Sequence, residues 1–313
     1  MDEIAQAIAG SIADRYRIER KLGAGGMAEV FLARDLKHDR DVAIKVMRPE
    51  LAQAFGTQRF LREIRLLARL QHPNILGLVD SGETGGMVFY VMPYLPGGSL
   101  RDRLNRDREL PIAEALQILR EIAGALEHAH AEGVVHRDIK PENILFNAGH
   151  AQVADFGIAR LVIDSGRGTA VTALATAGMM IGTPQYMAPE QAAGDPKTDH
   201  RADLYAFGVL AYELLAGAPP FVAGDVAQLA AMHLTQEPAR LSRRRPSVPV
   251  SLEDLVMRCL QKRPADRWQS AGDFISALDR VGRADSASRS ASRGGGTLAG
   301  RLALTESLGP RPN

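Results

Sequence analysis

The sequence predicts an α+β chain in two lobes: a small antiparallel five-stranded lobe with one main helix, then a larger, mainly helical lobe. Three observations carry that prediction. Short runs alternating apolar and polar residues fill the early part of the chain, Pro93-Tyr94-Leu95-Pro96-Gly97-Gly98 changes its texture, and apolar residues recur at helical spacing afterwards.

Residues 1–15 read as an N-terminal extension. Tyr16–Leu22, Val30–Ala33 and Asp41–Val46 are the first three strands, separated by a Gly-rich stretch and a polar turn. Gln58–Leu70 places Leu61, Ile64, Leu67 and Ala68 on one helical stripe, and Pro73 stops it. Ile75–Asp80 and Met87–Met92 are the fourth and fifth strands, with residues 81–86 as their loop. The first lobe therefore spans 16–92, a hinge 93–98 and the second lobe 99–281. In the second lobe, Pro111 opens a long helix through Leu116, Leu119, Ile122, Ala123 and Leu126, and Gly133 lies beyond its end. Leu204–Ala216 is apolar on nearly every side and is followed by Gly217, as a central helix requires. Leu252–Leu260 and Ala271–Val281 add two amphipathic helices. Residues 282–313 are rich in Ser, Arg, Ala and Gly without apolar periodicity, and read as a disordered tail.

Composition narrows the function classes. With 45% apolar and 24% charged residues among 313, the chain is that of a globular protein, and a net charge of +1 gives no reason to expect nucleic acid as partner. The single cysteine, Cys259, cannot form an internal disulfide and fits a reducing compartment. Asp2 and Glu3 argue against a signal peptide. Gly168–Ala188 lacks charge over the length of a bilayer span, but its threonines, glycines and Pro184 make it a loop. A cytoplasmic protein without a membrane span is the expectation.

The chemistry concentrates in short motifs. His136-Arg137-Asp138-Ile139-Lys140-Pro141-Glu142-Asn143 sets a carboxylate, a cation and an oxygen ligand close together, a set suited to moving a phosphoryl group onto an alcohol. Gly23-Ala24-Gly25-Gly26-Met27-Ala28-Glu29-Val30 lies between two strands, where a hairpin could lay backbone N–H groups against a polyphosphate; a plain Gly-rich turn is the alternative. A dinucleotide fold would need a helix directly after the glycines, and a strand follows instead. Val42-Ala43-Ile44-Lys45 puts an ammonium on an apolar strand, either as a solvated edge lysine or as the partner of Glu63 on the following helix. Asp155-Phe156-Gly157 ends a short strand, and Asp155 with Asn143 makes an all-oxygen donor set suited to magnesium. Glu142 points to a basic residue near the phosphoacceptor.

Glycine loop, Val-Ala-Ile-Lys, helix Glu, His-Arg-Asp, Asp-Phe-Gly and Ala188-Pro189-Glu190, in that order, resemble a protein kinase, specifically the eukaryotic-type (Hanks-type) Ser/Thr kinases of bacteria. The resemblance covers roughly 16–281 and implies the protein-kinase-like two-lobe fold. It implies ATP held by Leu22, Gly23, Ala24, Gly25, Gly26, Met27, Ala28, Glu29 and Val30, with Ala43 and Leu145 on the adenine faces. Met92 would guard the back of the pocket, while Pro93 and Leu95 offer the adenine edge a carbonyl and an N–H. Lys45, oriented by Glu63, would bind the α- and β-phosphates; Asp138 would be the catalytic base, Lys140 the cation at the γ-phosphate, and Asn143 and Asp155 the Mg²⁺ ligands. Ala28 departs from the family's third glycine and puts loop closure in question. His136 is read as packing under Phe156, and Glu190 as pairing with Arg267.

Lys140 matches the Ser/Thr version of the loop, so the implied partners are proteins presenting Ser or Thr, with a homodimer for autophosphorylation. Thr183 resembles the hydroxyl that helps hold the catalytic Asp and Lys. Arg137 would receive a regulatory phosphate at Thr176 or Thr172, ordering the loop. Two readings compete. A pseudokinase scaffold would lack some of Lys45, Asp138, Asn143 and Asp155, and a small-molecule phosphotransferase would lack the long segment before Ala188-Pro189-Glu190.

Overall fold

A computed structural model describes residues 3–50, 57–156 and 184–294. The first lobe is one sheet covered by a helix on each face. Strands β1 (Tyr16–Ala24), β2 (Ala28–Asp35), β3 (Arg40–Met47), β4 (Asp80–Thr84) and β5 (Met87–Pro93) pair antiparallel in the order β1-β2-β3-β5-β4. Alternation along β3 sends Val42, Ile44 and Val46 to one face and Ala43 and Met47 to the other. Helix α2 (Thr57–Leu67) covers the second face with Phe60 and Ile64.

The other face is covered by the N-terminal extension. Glu3–Ile12 is a helix, α1, whose Ile8 and Ile12 are buried against Tyr16, Phe31 and Val91. Ile4, Ile8 and Ile12 recur at one-turn spacing, and a sheet with an uncovered apolar face gives that stripe its partner. The fourth strand is corrected. Gly85 and Gly86 both have positive φ (56° and 75°) and make a two-residue hairpin, so Thr84 pairs with Met87 and the strand lies at 80–84. Upstream of it, Ile75 forms a parallel bridge to Val153 in the second lobe.

Helices α3 (Leu100–Asp107) and α4 (Ile112–Ala131) follow the hinge, then the hairpin β6 (Ile144–Asn147) and β7 (His150–Val153). Gly97 is required there, because a Cβ would stand 2.5 Å from the Phe146 carbonyl oxygen. The central helix α6 (Arg201–Ala216), preceded by the short α5 (Pro189–Ala192), is buried on nearly every side. It ends at Gly217 in the left-handed region, φ 74°. Around it lie α7 (Val226–Thr235), α8 (Val250–Cys259) and α9 (Ala271–Gly294).

The boundary of the tail moves as well. Helix α9 continues past Val281 to Gly294, because extending a packed helix through Ala, Ser and Arg costs far less than starting one. Residues 295–313 lie outside the described residues. Among the described residues no helix is long and apolar enough to cross a membrane.

Candidate active site

The loop after α4 hangs from a buried aspartate. Asp203 accepts the His136 N–H through Oδ2 (2.8 Å) and the Arg137 N–H through Oδ1 (2.7 Å), and Oδ2 also pairs with His130 Nε2 at 2.8 Å. Burial alone would raise this carboxyl, but the hydrogen bond and charge of His130 hold it below the usual carboxylate range. Sequence reasoning missed Asp203. Its signal was a carboxylate in the first turn of a helix that is apolar at most positions.

The same loop is joined to the end of β7. His136 Nε2 lies 2.9 Å from the Ala154 carbonyl, its ring packs tilted against Phe156 with centroids 4.6 Å apart, and the Ala154 N–H donates to the Asn143 carbonyl at 2.8 Å. Arg137 (φ 67°) and Asp155 (φ 64°) both occupy the left-handed region that side chains other than glycine avoid. Such strain persists only where surrounding bonds over-determine it, as they do here.

Two charged clusters result. In one, Asp138 Oδ2 is 2.6 Å from Lys140 Nζ and 3.2 Å from Asn143 Nδ2, which also donates to the Asp138 carbonyl at 2.8 Å. In the other, Lys45 Nζ reaches across the lobes to Asp155 Oδ2 at 2.7 Å, while the Tyr90 hydroxyl donates to Oδ1 at 2.7 Å. Tyr90 is a second residue the sequence did not reveal. It stands directly across the ladder from Lys45, so register alone places it beside the lysine. Burial would raise the Asp155 carboxyl, but Lys45 and Tyr90 hold it low; burial and Asp155 push the Tyr90 phenol well up. The Glu63 side chain lies outside the described residues, and with it the Lys45–Glu63 pairing.

The residues expected to face a nucleotide fall on the sheet, the hinge and β6. Leu22, Gly23 and Ala24 end β1, Gly25, Gly26 and Met27 make the turn, and Ala28, Glu29 and Val30 open β2. The Gly25 N–H closes that turn on the Ala28 carbonyl at 2.9 Å, and Glu29 pairs with Lys21 at 2.9 Å. Ala28 is not among the described residues with positive φ, so alanine replaces glycine there without backbone strain. Ala43 pairs with Met92 across the ladder, Val30 with Lys45, and Pro93 with Val42. Leu95 and Leu145 are half-buried, and Leu145 bridges to Ser99 at the head of α3. Behind Met92 lies a cavity of about 40 Å³ whose lining includes Ile64, Tyr90, Asp155 and Phe156.

The donor set fits magnesium. Asn143 commits its amide nitrogen to Asp138, so Oδ1 is the atom it can offer a cation, and Asp155 supplies carboxylate oxygen. Among the described residues no cluster of three or more His, Cys, Asp or Glu side chains could hold a metal. A hard cation completed by phosphate oxygens and water suits a two-ligand protein site. In the second lobe, Arg267 is fully buried and grips Glu190 with two parallel bonds of 2.6 and 2.7 Å. Thr169, Thr172, Thr176 and Thr183 lie outside the described residues, as does Gly157.

A sheet lobe whose lysine reaches a carboxylate of a helical lobe, beside an Asp–Lys–Asn loop, defines a kinase-type fold and site. The chain belongs to the protein kinase family, in its bacterial eukaryotic-type branch: the family model for the protein kinase domain matches residues 16–276. It is 41% identical over 276 residues to "Serine/threonine-protein kinase PknB" of Mycobacterium leprae, covering 86% of this chain and 43% of that protein. To "Serine/threonine-protein kinase pkn3" of Myxococcus xanthus it is 41% identical over 302 residues, covering 92% of this chain and 54% of that protein. The PknB of Mycobacterium tuberculosis H37Rv is 40% identical over 276 residues, again covering 86% and 43%. The chain thus spans about half the length of the curated relatives it matches.

Proposed function

We propose that this chain is an ATP- and Mg²⁺-dependent protein serine/threonine kinase that moves the γ-phosphoryl group of ATP onto Ser or Thr hydroxyls. The observation that carries the reading is the convergence of two clusters, Lys45–Asp155–Tyr90 and Asp138–Lys140–Asn143, tied together by His136 and Ala154. Asp138 orients the incoming hydroxyl and accepts its proton as the oxygen–phosphorus bond forms and the bond to ADP breaks. Lys140 faces that carboxylate and balances charge on the transferring group, and Lys45 holds the α- and β-phosphates. Asn143 and Asp155 would hold Mg²⁺, which when bound neutralises phosphate charge. Catalysis on this reading is positioning plus electrostatics.

The reading extends to regulation. Arg137 directly precedes the base, and the Gln191 side chain donates to its carbonyl at 3.2 Å, linking the stretch after residue 183 to the catalytic loop. We assign autophosphorylation to Thr176, then Thr172, in a transient homodimer working in the cytoplasm, where ATP is supplied. Phosphosite mapping of active protein with both threonines unmodified would remove this assignment.

The test is incubation of the full chain with labelled ATP and Mg²⁺ and a protein substrate. Transfer to Ser and Thr is expected, and Asp138→Asn and Lys45→Ala should each lower it about 10²-fold or more while leaving the melting transition in place. Undiminished transfer in either variant overturns that residue's role.

A further inference from the structure

The sequence pointed to Glu142 as a lure for a basic residue on the substrate, but the structure shows a cation already seated there. Arg101, in the first turn of α3, donates from Nε to Glu142 Oε1 (2.8 Å) and from Nη1 to Glu213 Oε1 (2.7 Å), while Nη2 donates to the Tyr186 hydroxyl. Tyr186 in turn donates to Glu213 Oε2. Every nitrogen of the guanidinium is committed. Burial alone would lower the Arg101 pKa, but Glu213 and Glu142 hold it raised, and burial and Glu213 also push the Tyr186 phenol up.

The position of this cluster is what matters. Glu142 belongs to the same loop as Asp138, and its side chain is 44% exposed, whereas that of Glu213 on α6 is 6% exposed. Tyr186 ends the short helical turn Pro184–Tyr186, just ahead of Ala188-Pro189-Glu190, and Gln191 in α5 reaches the Arg137 carbonyl. The head of α3 is pinned here by its Ser99–Asp102 capping box and by the Ser99–Leu145 bridge. Glu142 stands four residues after Asp138 and is partly exposed, so on the kinase reading a polypeptide delivering a hydroxyl to Asp138 would pass near it. Two carboxylates and a phenol placed so are a receptor for a planar guanidinium, and Arg101 shows the fit.

We infer that Arg101 is a specificity-determining residue: it fills from within a guanidinium site beside the phosphoacceptor path, and so makes the chain indifferent to arginine flanking the acceptor. This rests on the kinase reading above. Specificity is a difference of affinities, and here the substrate arginine must compete with a tethered one. Without Arg101, the nearly buried Glu213 is left uncompensated, which a substrate arginine would relieve.

The test uses the full chain and peptides identical except for alanine or arginine at single positions around one serine. Fluorescence anisotropy reads binding without turnover, and labelled ATP with Mg²⁺ then reads kcat and KM separately. Unsubstituted protein should bind arginine and alanine peptides within about twofold. Arg101→Met should bind one arginine peptide about tenfold more tightly than its alanine twin, with the gain in KM, and Arg101→Met/Glu142→Gln should lose the gain. An unchanged ratio in folded Arg101→Met overturns the inference and leaves Arg101 a structural brace. So does a tenfold arginine preference in unsubstituted protein that Glu142→Gln abolishes. Should Arg101→Met lose its melting transition, Arg101→Lys replaces it: one ammonium cannot fork across three partners, so a rise of about threefold is expected and none overturns the inference. Binding ratios as expected without any phosphate transfer would count against the kinase reading and leave this inference standing.

Discussion

The two lobes bury their apolar surface in different ways, and their charged pairs follow suit. The first lobe is a single sheet with two thin cores, one under α1 and one under α2, whereas the second has one continuous core around α6. Two charged pairs of the second lobe, Arg267–Glu190 and His130–Asp203, lie within that lobe and are almost wholly buried. The pair Lys45–Asp155 bridges the lobes and keeps 15% and 22% of its side-chain surfaces exposed. Fixtures hold the helical lobe's loops in place. On the proposed reading the bridging pair engages the atoms that phosphate and metal would claim, and it would have to be exchangeable.

The strongest test of that contrast is Arg267→Met. It leaves Glu190 nearly buried and uncompensated and should cost about 3–5 kcal/mol in urea unfolding. A loss under about 1 kcal/mol would make the pair no more of a fixture than the bridging one. Ile8→Ala comes next, at about 2–5 kcal/mol, because the side chain is fully buried between α1 and the sheet. A near-neutral result would return α1 to the status of an appendage.

A pH titration probes the second lobe's rigidity. His233, fully buried against the Tyr205 hydroxyl at 2.9 Å and beside Lys262, is lowered to about 4, first by burial and then by the Lys262 charge. A depressed folded value means the stability contribution is present above the unfolded value of about 6.5 and is lost as pH falls toward 4. Unfolding free energy should therefore drop by roughly 2–3 kcal/mol across that window, and His233→Gln should remove that component of the slope. The smallest effect is expected at the bridge: Tyr90→Phe deletes one bond to Asp155 while Lys45 remains, and should cost about 1.5 kcal/mol. If it costs as much as Arg267→Met, the bridge is as rigid as the fixtures and the contrast fails.

Much of the fold was legible because its signals are local. Strands β1 to β3, the helix opening after Pro111 and the Gly217 stop each follow from a few adjacent residues. Elements that need a distant partner were read less well. The isoleucine stripe of α1 has meaning only against the sheet face it covers, and β4 was displaced because the Gly85–Gly86 turn sets its register from β5. The site divides the same way. Asp138, Lys140 and Asn143 sit in one short loop and interact there, whereas Tyr90–Asp155, Asp203–Arg137 and Arg101–Glu213 join residues far apart along the chain.

What the amino-acid order determined by itself is the two-lobe class, the family and the short motifs, since periodicity, turn residues and spacing act over a few positions. Only the tertiary structure decided which charges meet: Lys45 with Asp155, the His136–Asn143 loop with Asp203, and Glu142 with Arg101 instead of an open approach. The physical reason is that a buried or half-buried charge must find its counter-charge wherever packing brings one, and packing joins surfaces that sequence separation does not reveal.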